Sequence, residues 1–266
     1  MKIKEIKVKS IITKSGLEAD FAINPYIGCI HGCIYCYARF MKRFTGHLES
    51  WGSFIDIKIN AADLIPEKTD KYKNKSIIIG SVTDAYCAVE RKYKLTRQIL
   101  EKLIPLEPAI DIITKSDLIL RDVDLLKQFR HCLVAVSLSV IDEDLRKKLE
   151  PLAPPADKRI NTLKELRQTG IKTALFISPI FPQLTDWQGL INRTKPFVDE
   201  YWFENLNLYP SIRNNVYGFL KKHYPQLIEK YKEIYFKDSN YWNGEEKKIE
   251  KFCEKNKVNY KIYFHH

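Results

Sequence analysis

SIIIGSVTDAYCAVERKYKLTRQILEKLIPLEPAIDIITKS, residues 76–116, passes from a β-branched run (76–81) through the helical pattern RKYKLTRQILEKLI (91–104) to a second strand-like run, AIDIITKS (109–116). No hairpin turn separates the two runs. The strands are therefore expected to be parallel and joined by a right-handed crossover. The alternation continues toward the C-terminus. LILRDVDLLKQFR (118–130) has apolar residues at helical spacing and CLVAVSLSV (132–140) reads as a strand. DEDLRKKLE (142–150) and DKRINTLKELRQTG (157–170) are helical on either side of a proline-rich loop at 151–155. KTALFISPI (172–180) precedes TDWQGLINRTKPF (185–197), where Thr185 and Asp186 are candidate caps, and EYWFENLNL (200–208) ends the series.

On the N-terminal side, the DFAINPYI stretch supplies the first strand of the series, with FIDIKIN (54–60) inside the excursion after it. The opening MKIKEIKVKS alternates Lys with Ile and Val, as a strand with one basic face does. The result is an α/β fold of about six βα units, either an open barrel or a doubly wound sheet. In both, ligands bind at the carboxyl ends of the strands. Residues 1–208 are expected to form this core. Residues 209–266 are read as a Lys-rich helical extension packed on it, ending in the strand-like VNYKIYF (258–264).

Hydrophobic residues make up 45% of the 266 and charged residues 29%, which suits a globular domain and argues against disorder. No run approaches the ~18 apolar residues of a membrane span, and the N-terminus lacks the apolar centre of a signal peptide. The expectation is a cytoplasmic protein without a membrane partner, in which clustered cysteines act as ligands rather than disulfides. The formal net charge is +11. That excess fits a Lys-rich soluble surface or attraction to a polyanion such as DNA or RNA. Tyr and Trp among the lysines of KDSNYWNGEEKK (237–248) fit the second reading, as stacking residues on a basic surface.

NPYIGCIHGCIYCYARF (24–40) holds three of the six cysteines, Cys29, Cys33 and Cys36, on a loop with Gly28 and Gly32. It follows the first strand directly and so lies on the ligand-binding rim. Thiolates spaced C-x3-C-x2-C can converge on one metal centre. Zinc would close its shell with His31 or a distant cysteine. A four-iron cluster would be left with one iron lacking a protein ligand, an open position of the kind catalytic metal sites keep.

CIHGCIYC, with Tyr35 before the third cysteine, resembles the signature of the radical S-adenosylmethionine (SAM) superfamily. AINPYIGCIHGCIYCYARF, SVTDAY, KLTRQIL, ITKSDLILRDVDLL and SLSVIDEDLRKKLEP with RINTLKELRQTGI together resemble its spore photoproduct lyase-like group. The resemblance runs from about residue 9 to 208. It implies a partial (β/α)6 barrel of TIM type and a [4Fe–4S] cluster on Cys29, Cys33 and Cys36 whose open iron binds SAM. It further implies an external one-electron reductant of flavodoxin or ferredoxin type, and reductive cleavage of SAM to a 5′-deoxyadenosyl radical that abstracts hydrogen from a substrate.

The resemblance also places cofactor-binding candidates. Tyr35 would pack near the adenine. Ser81, Thr83 and Asp84 occupy the motif position that receives the methionine amino group, and Lys115 stands at the rim of the next strand, suited to a carboxylate. Ser137 and Ser139 are two apart, and so are expected on one face of an apolar run. In WFENLNL, Glu204 falls on one face and Asn205 with Asn207 on the other. Spore photoproduct lyases return a hydrogen atom from a cysteine near the end of strand two. Here that end reads GSVTD, and the nearest thiol is Cys87, the candidate hydrogen donor. The functional expectation is a radical SAM enzyme, lyase-like or modifying, acting on a nucleic acid through the open side of the barrel. Radical modification of a peptide or small metabolite is the alternative. A non-catalytic zinc or iron–sulfur nucleic-acid-binding protein is the rival of another class.

Overall fold

The computed structural model describes residues 1–237 and 240–265. The chain opens with β1 (Lys2–Ile6), β2 (Ile12–Lys14), β3 (Phe21–Ile23) and β4 (Tyr26–Ile27); past the cysteine loop come α1 (Lys42–Thr45) and β5 (Phe54–Lys58). Strands and helices then alternate: β6 (Ser76–Ile79), α2 (Glu90–Tyr93), α3 (Leu95–Leu103), β7 (Ala109–Thr114), α4 (Val123–Leu126) and β8 (Cys132–Ser137). They continue with α5 (Glu143–Leu149), α6 (Ala156–Gln168), β9 (Lys172–Ile180), α7 (Trp187–Thr194) and β10 (Glu200–Asn205). Three helices, α8 (Pro210–His223), α9 (Ile228–Phe236) and α10 (Tyr241–Asn256), lead to β11 (Asn259–Ile262).

β3, β6, β7, β8, β9 and β10 lie side by side in that order, all parallel. β2 adds antiparallel beside β3, and β11 parallel beside β10. Among the described residues the two edges do not pair, so the sheet is a partial (β/α)6 barrel with an open seam. The strand period of two separates its faces. Ile110, Ile112, Val134, Val136, Leu175 and Ile177 are buried in the core with Ile99, Leu103, Leu163 and Leu166 of the helices. Their neighbours Asp111, Ile113, Phe176, Trp202 and Glu204 face a cavity on the concave side. β1 pairs parallel with β5 and β4 antiparallel with it, making a small second sheet behind the cysteine loop.

Two expected helices are broken, each by a buried carboxylate. The pattern at 91–104 splits at Lys94, which adopts a φ of +51°. The turn lets fully buried Glu90 accept the Thr96 N–H at 3.0 Å and start α3. The pattern at 118–130 becomes a 3₁₀ segment, Asp117–Asp122, before the single turn of α4. Asp122 is fully buried and takes hydrogen bonds from Arg97 (3.0 Å) and Arg121 (2.8 Å), which draws its backbone out of the helical region.

The stretch 237–248 also departs from expectation. Trp242 is buried in the main core, packed edge-on against Tyr235 and Phe264, and Lys248 pairs with Glu245. It offers no Trp face for stacking, because the hydrophobic side of α10 turns inward. Asp238 and Ser239 of that stretch lie outside the described residues, as does His266. Among the described residues no helix is long and apolar enough to cross a membrane.

Candidate active site

The cysteine loop is shaped by its glycines and by bonds from distant elements. Gly28 (φ +84°) passes so close to Phe54 that a Cβ there would stand 2.7 Å from the Phe54 carbonyl oxygen. The Thr83 hydroxyl donates to the Gly28 carbonyl (2.6 Å), the Ile34 N–H to the Leu149 carbonyl (2.9 Å) and the Leu152 N–H to the His31 carbonyl (3.2 Å). Arg39 donates to the Cys33 carbonyl at 3.1 Å. None of these bonds involves a thiol, and the three sulfurs form no disulfide.

Cys29, Cys33 and Cys36 all line one cavity of about 720 Å³, within the roughly 300–1,000 Å³ of ligand sites. Burial pushes the Cys29 thiol up to about 12 and raises Cys33 and Cys36 as well. Against burial, Lys115, the Ala38 N–H, Arg39 and the Trp51 indole favour the Cys36 thiolate. The Trp51 Nε1–H is buried and makes no hydrogen bond to any described residue. An unused donor beside a sulfur is what a thiolate-ligated cluster requires, because hydrogen bonds to its sulfurs tune it. Among the described residues no three His, Cys, Asp or Glu side chains converge on a single-ion site. The donor set, three uncrosslinked thiols with cationic and N–H neighbours at a cavity wall, fits a cluster whose ligands sit on separate irons.

One polar network missed by sequence reasoning holds Tyr35. Its hydroxyl donates to Glu150, whose other oxygen accepts from Arg159. Arg159 is fully buried and also donates to the carbonyls of Pro154 (2.9 Å) and Ser137 (3.0 Å). Burial works against the Glu150 carboxylate, but the charges of Arg159 and Lys115 and the hydrogen bonds of Arg159 and Tyr35 hold it down at about 2. The signal was present: Arg159 stands inside the apolar stripe Ala156, Ile160, Leu163, Leu166 of α6, where a charge needs a buried partner.

Ser81, Thr83, Asp84, Lys115 and Ser137 all line the cavity, and they differ in whether their polar atoms already have partners. Lys115 lines the cavity, its ammonium 5.8 Å from the Tyr35 ring centroid and in no ion pair among the described residues. Burial works against its charge, and Cys33 and Glu150 outweigh burial. Ser137 lines the cavity with its hydroxyl unbonded to any described residue. The Asp84 carboxylate is already engaged at the cavity wall: it accepts from Thr114 Oγ1 (2.7 Å), the Lys115 N–H (2.7 Å) and the Tyr86 N–H (2.9 Å), with His31 Nδ1 at 3.5 Å. Thr83 holds the Gly28 carbonyl. Ser81 accepts from Asn24 Nδ2 (3.0 Å), while Asn24 Oδ1 accepts from the Val82 N–H (3.0 Å).

Ser139 does not share the face of Ser137. β8 ends at Ser137, the alternation stops there, and the Ser139 hydroxyl donates to the Ser178 carbonyl at 2.6 Å, away from the cavity lining. Cys87 is not an accessible donor. It is fully buried with Tyr26, Ile55, Ile57 and Leu95, and burial drives its thiol well above the ordinary range. Glu204, Asn205 and Asn207 all line the cavity, because the register shifts between Phe203 and Asn205. Glu204 accepts from Ser178 Oγ at 2.5 Å. Asn205 both donates to and accepts from the backbone of His265 at 2.9 Å, which brings the C-terminal segment to the cavity wall.

The sequence profile described as the radical SAM superfamily matches residues 23–190, from the first barrel strand into α7. The chain belongs to the radical SAM superfamily. It is 43% identical over 230 residues to the uncharacterized protein MJ0683 of Methanocaldococcus jannaschii, covering 86% of each chain. It is 26% identical over 161 residues to a protein of Pseudomonas phage M6 named a radical SAM Nalpha-GlyT isomerase, covering 60% of this chain and 33% of that one. A spore photoproduct lyase variant with bound AdoMet and dinucleoside spore photoproduct shares the fold, with a TM-score of 0.72 at 14% identity, over 99% of this chain and 82% of that one. Membership implies a [4Fe–4S] cluster, SAM and an external reductant.

Proposed function

We propose that the protein is a radical SAM enzyme acting on a nucleic acid, with repair or modification of a nucleotide as its reaction. One observation carries the catalytic part: all three signature cysteines and the unpaired polar groups Lys115 and Ser137 line a single cavity at the carboxyl end of the barrel. Cys29, Cys33 and Cys36 would hold the cluster. When bound and reduced, that cluster with SAM supplies a 5′-deoxyadenosyl radical able to take a hydrogen atom from a substrate.

The chain's own residues bind and orient. Lys115 is a cation suited to the SAM carboxylate, and the Ser137 hydroxyl is a donor on the same wall. The Tyr35 ring, held by Glu150, provides an apolar face, while Asp84 and Thr83 fix the backbone around them. The walls farther along the cavity, Phe176, Trp202 and Tyr263, exclude water and offer rings to a planar substrate. Three features support the nucleic-acid part: the net charge of +11, the open seam, and the dinucleoside ligand named for the neighbouring lyase structure. In this reading residues 1–208 are the radical SAM core and 209–266 an extension that completes its wall.

The test is 5′-deoxyadenosine formation after anaerobic reconstitution, with SAM, a strong reductant and added oligonucleotides, beside Cys36→Ala. Product that is lost in the variant and stimulated by oligonucleotide is expected. Iron-loaded protein that makes none with any oligonucleotide would overturn the reading.

A further inference from the structure

A second concavity, about 450 Å³, adjoins the active-site cavity and is lined by Tyr37, Arg39, Phe40, Arg43, Tyr209 and Ser211, among others. Tyr37 and Tyr209 line both spaces, so the groove opens onto the mouth of the cavity. We propose that this groove is the track for a single nucleic-acid strand, holding the nucleotides that flank the one under reaction. The proposal rests on the nucleic-acid reading above and adds a location to it.

Charge is the first argument. Arg39, Lys42 and Arg43 stand within five residues, and none of them pairs with a carboxylate among the described residues. No acidic side chain lines the groove among those residues. Arg39 is anchored by its bond to the Cys33 carbonyl, yet its Nε is buried without a partner among the described residues. Most other arginines of the fold are neutralised: Arg97, Arg121, Arg146, Arg159, Arg167 and Arg193 all have acidic partners. An unpaired cationic cluster is an electrostatic footprint for phosphates.

Rings are the second. Tyr37 and Phe40 lie 28° from parallel with centroids 6.3 Å apart, and Phe44, 73% exposed, follows on the same short segment. The Tyr37 hydroxyl donates to the Ser81 carbonyl, which fixes its ring at the boundary of groove and cavity. Tyr209, 39% exposed, faces it from the start of α8. Cationic side chains interleaved with aromatic faces are how proteins hold single strands without reading sequence. A concave groove continuous with the reaction cavity suits a threaded strand better than the flat face of an electron-donor protein.

The experiment is anisotropy of a short fluorescent single-stranded oligonucleotide over a salt series, with the 266-residue chain and its Arg43→Ala, Phe40→Ala and Lys247→Ala variants. Arg43→Ala should weaken binding and reduce the slope of log affinity against log salt by about 0.7, the share of one phosphate contact. Phe40→Ala should weaken binding about 5- to 100-fold with the slope unchanged, as loss of one stacked base does. Lys247, exposed on α10 and not among the residues lining the groove, should change neither. Far-ultraviolet circular dichroism checks that each variant is folded. Salt-dependent binding that ignores Arg43 and Phe40 would overturn the track and leave the nucleic-acid reading standing. No binding at low salt would overturn both. Unchanged oligonucleotide affinity with slowed reduction by a flavodoxin would overturn the track in favour of an electron-donor dock.

Discussion

At the scale of single residues, the weight falls on Glu150. Its carboxyl is held at about 2 against an ordinary 4.5, so its contribution to folding is fully present above pH 4.5 and disappears as pH falls toward 2. A depression of that size corresponds to about 3 kcal/mol. Glu150→Gln should destabilise the protein by about 3–5 kcal/mol at neutral pH, because Arg159 is left buried without its counter-charge. In urea titrations the difference from the parent should shrink below pH 4.5, and Glu150→Gln combined with Arg159→Met should recover part of it. A pH-independent deficit would refute this account. The cysteines were legible in the sequence because their spacing is local and their chemistry narrow. Glu150 was not, since its partner Tyr35 is 115 residues away and nothing in LEP marks which glutamate is buried. Whether Cys87 is accessible was not legible for a related reason: its burial depends on β4 and β5, which its own sequence neighbourhood does not contain.

At the scale of elements, the cysteine loop meets the small sheet glycine to glycine. Gly52 has a φ of +95°, and a Cβ there would stand 2.6 Å from the Gly32 Cα. Gly52→Ala should therefore destabilise by about 2–4 kcal/mol, from left-handed strain plus displacement of loop backbone. It should also lower the iron bound per chain after reconstitution. Gly46→Ala, at a φ of +67° with nothing within 4 Å, should show only the strain of about 1 kcal/mol and normal iron loading. Equal effects of the two substitutions on iron content would sink the argument. Strand order was readable because β-branched runs and missing hairpin turns force parallel neighbours. The helices at 91–104 and 118–130 were misread because periodicity records which residues face the core, while Glu90 and Asp122 decide where the backbone must turn to reach their partners.

At the scale of the molecule, the open seam has two lips on one cavity. Gly16, Leu17 and Glu18, between β2 and β3, form one; Lys261, Tyr263 and His265 form the other. The second lip is pinned by the paired bonds between Asn205 and the His265 backbone. Asn205→Ala should free it, speeding hydrogen exchange of the His265 amide about 10- to 100-fold, as loss of bonds contributing about 1–3 kcal/mol does. Amides in β8 should be unaffected. Unchanged exchange at His265 would mean that β11 alone secures the lip.

The clamps on the cysteine loop also impose an order on protein synthesis. The thiols leave the ribosome early, but their frame arrives in instalments, with Thr83 first and then Leu149, Glu150 and Leu152. At about 5–20 residues per second, the 115 residues between Tyr35 and Glu150 take roughly 6–23 s to emerge. During that interval the nascent chain carries three unframed thiols, open to oxidation or to capture by stray metal, and cluster delivery belongs after it.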